Sequence, residues 1–145
     1  MTARRFLDTN ILLYSISRSP NESDKRDRAI AILDEDDNAV SVQVLQEFYV
    51  QATRASRLDA LTHQTAAGLV GTWLRFEVQD VTLAVMQRAL DIKSAHGFSY
   101  WDSAVIAAAR TIGCDELLTE DMSHGQIIDG VTIIDPFRPS SRLTP

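Results

Sequence analysis

An α/β fold, with a parallel sheet covered by helices on both faces, is the class that this sequence predicts. Two features predict it. Short apolar runs alternate with segments of helical periodicity, and residues that favour helix starts and stops stand at the junctions.

In chain order, Arg5-Phe6-Leu7 reads as a buried strand that ends at Asp8. Asp8-Thr9-Asn10 supplies N-capping types, and Ile11-Leu12-Leu13-Tyr14 starts a helix. Ser23 begins a second helix, with Asp24 to Asp27 exposed ahead of Ala29, Ile30 and Leu33. Ala39-Val40-Ser41 fits a second strand. From Val42 onward Leu45, Phe48, Tyr49 and Ala52 recur at helical spacing, which places Glu47 on a helix beside an apolar stripe.

Thr62 caps a helix carrying Leu69, Val70, Trp73 and Leu74, and Phe76-Glu77-Val78 reads as a third strand. Thr82 opens the helix of Val85, Met86, Ala89 and Leu90, with Gly97 as its stop. Ser99-Tyr100-Trp101-Asp102 opens the next, which buries Ala104, Val105, Ala108 and Ala109 and ends at Gly113. Glu116 to Thr119 and Val131 to Ile134 are the last two expected strands. Residues 1–137 read as a single domain. The chain is expected to loosen from Pro136, with 138–145 a flexible tail.

At 145 residues, with 45% hydrophobic and 23% charged residues, the chain has the composition of a soluble globular protein. A single cysteine, Cys114, excludes an internal disulfide and reads as a small buried hydrophobe. The basic start leads into an apolar patch too short for a signal peptide, and no apolar run has the length of a membrane span, so the cytoplasm is the expected compartment. Fourteen basic against 20 acidic residues give a net charge of −6, the wrong sign for a nucleic-acid binder. Two divalent cations would bring the loaded protein to about −2, so charge alone does not exclude that class.

The chemistry-bearing pattern is a set of acids at or near strand ends. Asp8 follows the first strand and Asp121 the strand ending at Thr119, while Glu47 and Asp102 stand in early turns of helices. In an open parallel sheet such positions meet where the strand order reverses. Carboxylates gathered there suit hard cations such as Mg²⁺ and Mn²⁺, which bind phosphate oxygens and activate water. Each acid has a plainer reading. Most acids are solvated charge, Asp8 is a cap type, and Ser99-x-x-Asp102 is a capping box. The set carries the argument, not any one member.

Four segments in order, Phe6-Leu7-Asp8-Thr9-Asn10-Ile11-Leu12, Ser41 to Phe48, Tyr100-Trp101-Asp102-Ser103-Ala104 and Leu117-Leu118-Thr119-Glu120-Asp121, resemble the PIN domain. More narrowly, they resemble the VapC-like toxins of toxin–antitoxin pairs. The resemblance implies a three-layer α/β/α sandwich and Mg²⁺- or Mn²⁺-dependent endonuclease activity on RNA, leaving a 5′-phosphate and a 3′-hydroxyl. It also implies a homodimer held inactive by a separately encoded antitoxin. Asp8, Glu47, Asp102 and Asp121 match the family's acidic quartet, with Asp8 and Asp102 holding the principal metal and the other two completing its shell or orienting a second ion. Asn10 matches a polar residue that positions the first acid, and Thr119 a hydroxyl beside the last. The last segment lacks the aromatic that many members place a few residues on, and Glu120 stands as the alternative to Asp121.

Other residues are less pointed. His63, His96 and His124 lack metal-ligand spacing, and no glycine-framed serine or glycine-rich phosphate loop occurs. Trp73 and Trp101 read as packing residues. Arg4, Arg5, Arg18, Lys25, Arg26 and Arg28 form a solvated basic face or the rim of an RNA groove. Exposed apolar residues on the second and third helices are expected to meet a dimer partner or antitoxin. The competing functions are a catalytically inactive PIN-like module that binds RNA or protein, and a receiver-like pocket phosphorylated at Asp8. The second wants paired acids before the strand end and an opposing lysine, neither of which is evident.

Overall fold

The computed structural model describes residues 5–139; Arg4 and most of the expected tail (140–145) lie outside the described residues. Within them six strands form one sheet. β1 (Arg5–Leu7) leads into α1 (Thr9–Ser15), and a 3-10 turn (Pro20–Glu22) into α2 (Ser23–Leu33). β2 (Asn38–Ser41) is followed by α3 (Val42–Ala52) and α4 (His63–Trp73), then β3 (Glu77–Gln79), α5 (Leu83–His96) and α6 (Tyr100–Ile112). β4 (Glu116–Leu118), β5 (Ile127–Ile128) and β6 (Val131–Ile134) complete the chain of elements.

The strand order is β3-β2-β1-β4-β6-β5. All neighbours are parallel except β5 and β6. From β1 the chain steps outward to β2 and β3, then returns to β4 on the other side of β1. With right-handed crossovers this reversal puts α1–α4 on one face and α5–α6 on the other. The packing agrees: α1 contacts α2 and α3, α3 contacts α4, and α6 lies on α5 and across β2, β3, β4 and β6.

Capping side chains fix where the helices begin. Ser41, Thr62, Thr82 and Ser99 each accept a hydrogen bond from the backbone N–H three residues on. Gly97 and Gly113 end α5 and α6 in the left-handed conformation. The core runs through the sheet: Phe6, Leu7, Val40, Leu117 and Ile133 meet Ile11, Leu12, Val44, Phe48 and Ile106, all fully buried or nearly so. Phe48 meets the buried Trp73 edge-on at 4.7 Å. Truncating Phe48 to alanine would cost roughly 3–5 kcal/mol.

Four local expectations are corrected. A sixth strand, β5, pairs antiparallel with β6 through a turn at Asp129-Gly130, so the sheet is not wholly parallel. Both turn residues have positive φ (51° and 82°), the conformation that a two-residue hairpin requires. α5 buries Val85, Ala89 and Ile92, leaving Met86 and Leu90 exposed, because its face turns toward α6. Ile30 is exposed, and Ile32 takes its expected place in the core. The chain is not loose at Pro136-Phe137, since the Phe137 ring packs edge-on against Tyr14 at 4.8 Å. Among the described residues no helix is long and apolar enough to cross a membrane.

Candidate active site

The order of the sheet reverses between β1 and β4, and the carboxyl ends of those strands carry Asp8 and Thr119. Asp8, Glu47, Asp102 and Asp121 all line one cavity of about 150 Å³ at that edge, with Thr9, Asn10, Leu13, Gln51, Trp101 and Val105. Thus β1, α3, α6 and the loop after β4 each contribute one acid. Among the described residues, no lysine or arginine lines the cavity.

Asp8 is both cap and cavity residue. Its Oδ1 accepts from the Thr9 N–H at 2.7 Å and its Oδ2 from the Thr119 hydroxyl at 2.8 Å, while its own N–H donates to the Leu118 carbonyl at 3.0 Å. Burial pushes its carboxyl up to about 6, against those two stabilising hydrogen bonds and with the aid of repulsion from Asp121 and Glu47. Asp102 is raised for the same reasons, burial first and then the charge of Asp121, opposed by the Ser99 hydroxyl. The Asp102 N–H also donates to Ser99 Oγ at 3.1 Å, so one residue serves both the helix start and the cavity wall. Glu47 Oε1 accepts from the Thr9 hydroxyl at 3.2 Å and from the Gln43 amide at 3.4 Å.

Thr119 reaches both the first and the last of the acids, and Asn10 reaches the last. Asn10 holds the last acid, donating from Nδ2 to Asp121 Oδ2 at 3.1 Å and to Thr119 Oγ1 at 3.2 Å. Thr119 holds the first. Its hydroxyl donates to Asp8 and accepts from the Asn10 amide and the Asp121 N–H at 3.1 Å, which satisfies both of its lone pairs. Because Nδ2 must face the acceptor-only Asp121, Asn10 Oδ1 points elsewhere, buried and with no hydrogen-bond partner.

Glu120 is directed away from the cavity. It accepts from the Tyr14 hydroxyl at 2.5 Å and pairs with the Lys25 ammonium. Burial works to raise its carboxyl, but Lys25 and Tyr14 outweigh it and hold it below the ordinary range. The pair also commits Lys25, and Arg5 is bound to Glu35 and Asp37, so the proposed basic rim loses two members. The histidines serve elsewhere: His63 bonds Tyr49, His96 stacks on Phe98, and His124 Nδ1 accepts the Asp135 N–H. Cys114 is buried, which pushes its thiol up to about 12.

Asp8, Glu47, Asp102 and Asp121 offer oxygen donors alone, the type that a hard divalent cation prefers. Among the described residues, no group of three or more His, Cys, Asp or Glu side chains is placed to hold a metal ion together. Mg²⁺ does not require one, since it keeps several waters and takes as few as one or two carboxylates. Carboxylates that repel one another in a cavity whose described walls carry no basic residue, beside an orphaned amide oxygen, suit such an ion and its waters. The chemistry fits.

Sequence reading missed Trp101, which is 62% exposed and forms a wall of the cavity rather than part of the core. Gln51, one turn beyond Glu47 on α3, also lines it. The available signal was position: the first turn of a helix that opens at the sheet edge, next to a candidate acid.

The PIN domain model matches residues 5–127. Among solved structures, a chain of a toxin–antitoxin complex from Klebsiella pneumoniae aligns with a TM-score of 0.69 at 19% identity, covering 93% of this chain and 99% of that one. DNA-bound VapBC from Salmonella typhimurium gives 0.65 at 19% identity, again with 93% and 99% coverage. VapC20 from Mycobacterium tuberculosis, described as a toxin that cleaves the sarcin–ricin loop, gives 0.61 at 19% identity, covering 78% of this chain and 86% of that one. Comparison with curated protein sequences gives no match. The family model spans most of the chain, and the chain belongs to the PIN domain family.

Proposed function

We propose that this protein is a Mg²⁺- or Mn²⁺-dependent endoribonuclease, the toxin of a toxin–antitoxin pair acting in the cytoplasm. The observation that carries the reading is the meeting of Asp8, Glu47, Asp102 and Asp121 around one cavity at the reversal point of the sheet, with no basic side chain among the described residues of its walls. Asp8 and Asp102 would hold the principal ion, and Glu47 and Asp121 would complete its shell or orient a second. A divalent ion held there polarises phosphate oxygens and lowers the pKa of water.

The chain's own groups prepare for this. Thr119 fixes one oxygen of Asp8 and Thr9 the other, so the carboxylate offers its remaining lone pairs in a set direction. Asn10 fixes Asp121 in the same way. Leu13 and Val105 add apolar wall, which limits solvent around the phosphate. Antitoxin and homodimer contacts are supported by the exposed apolar residues Val50 and Leu74 beside the α3–α4 groove and Leu90 on α5, and by likeness to chains from toxin–antitoxin complexes.

The inactive-module reading is weakened by the completeness of the acidic set. The receiver-like reading lacks its lysine, since Lys25 is held by Glu120. The test is cleavage of single-stranded RNA in Mg²⁺ or Mn²⁺, with and without EDTA, by the wild type and Asp8→Asn. Cleavage abolished by EDTA and by the substitution supports the proposal; undiminished cleavage by Asp8→Asn contradicts it.

A further inference from the structure

Beside the carboxylate cavity lies a second groove, of about 180 Å³, between α3, α6 and the β3–α5 connection. Trp101 belongs to the walls of both. Its indole is held edge-on by Tyr100, with ring centroids 5.1 Å apart at 77°, yet 62% of the residue remains exposed. An exposed, oriented aromatic face next to a phosphate-processing cavity is the arrangement that takes up an unstacked base.

The rest of the groove suits the same occupant. Val81 and Met86 give apolar lining, while Gln43, Gln46 and Asp80 bring hydrogen-bonding groups to its walls. Gln46 is exposed on α3, so its amide is placed to donate and accept. A carboxylate at Asp80 accepts from an exocyclic amine, which cytosine, adenine and guanine carry and uracil lacks.

We propose that Trp101 and this groove form a nucleobase subsite, in which a base adjoining the scissile phosphate stacks on the indole and presents its edge to Gln46 and Asp80. The subsite sets which phosphate enters the cavity and favours a base with an exocyclic amine at that position. The inference rests on the nuclease reading above and adds to it the residue that selects the cut.

The test uses single-stranded RNAs that differ by one abasic residue, placed in turn at each position around the cut, with cleavage followed at low substrate concentration. In the wild type, one abasic position should slow cleavage by about ten-fold or more. Trp101→Ala should slow the intact RNA by a similar factor and be insensitive to that abasic position, whereas Trp101→Phe should retain most of the rate and the penalty. Replacing the selected base by uracil should reproduce part of the loss, and Asp80→Asn should remove that discrimination.

If Trp101→Ala keeps the abasic penalty or cuts intact RNA at the wild-type rate, the subsite is overturned. If it instead dissociates an oligomer on sedimentation and slows every RNA equally, Trp101 is a protein contact and the inference also falls. Absence of any metal-dependent RNA cleavage by the wild type would overturn the nuclease reading itself, an outcome separate from these.

Discussion

The Thr119 hydroxyl donates to Asp8 Oδ2 across 2.8 Å, tying the carboxyl end of β4 to that of β1 at the point where the sheet reverses. The same oxygen accepts from the Asn10 amide and the Asp121 N–H, so one fully buried hydroxyl orders two of the four acids. Thr119→Val keeps the shape but orphans these partners. It should lower stability by about 1–3 kcal/mol in urea denaturation, while Thr119→Ser should stay within about 1 kcal/mol of the wild type.

Asp8 also makes stability depend on pH. Its folded-state carboxyl is raised by burial to about 6 from an ordinary value of 3.8, so the folded state holds this proton more tightly than the unfolded state. That contribution is fully present below about pH 3.8 and is lost as pH rises to about 6. Asp8→Asn has no proton to lose. In EDTA its stability relative to the wild type should rise across this window, to a plateau of up to about 3 kcal/mol above pH 6. Paired urea titrations from pH 3.5 to 8 measure it. A flat difference would refute the raised carboxyl.

Metal should reverse this balance. An ion that binds only the folded state adds about 2.7 kcal/mol at a hundred times its dissociation constant. Mn²⁺ or Mg²⁺ should therefore raise the wild-type Tm by several degrees, with EDTA restoring the lower value. In Asp8→Asn and Asp102→Asn the increase should be small or absent, as read by differential scanning fluorimetry.

The adjacent acids Glu120 and Asp121 should separate cleanly. Glu120 is committed to Tyr14 and Lys25, so Glu120→Gln should keep metal-dependent cleavage within a few-fold. Asp121→Asn should reduce it at least 10–100-fold, the loss usual when even an outer partner of a metal ligand is removed. Initial rates on one RNA, at fixed metal concentration, make the comparison.

Much of the architecture was legible because most of the helix starts carry their own local chemistry. Ser41, Thr62, Thr82 and Ser99 are short polar residues whose oxygens satisfy orphan N–H groups, and that requirement is visible in the sequence. β5 escaped because two residues are too few for a periodic signal. Its Asp129-Gly130 turn between apolar pairs was nonetheless a readable hairpin mark.

In the site, the positions of the acids followed from strand ends and helix turns, which are local. The partners of Asn10 and Thr119 did not follow, because their hydrogen bonds cross from α1 to the loop after β4. Trp101 was hidden for a similar reason. Whether an indole is buried or exposed depends on how far α6 projects past the sheet, a property of packing rather than of its neighbours in the chain.

A crystal grown with Mn²⁺, with anomalous scattering collected at the manganese edge, decides whether the four carboxylates form a metal site. A peak is expected within the cavity, ligated by Asp8 and Asp102 with water in the remaining positions, that disappears in Asp8→Asn. A manganese peak bound elsewhere, or a cavity that stays metal-free at neutral pH in saturating Mn²⁺, would contradict that expectation.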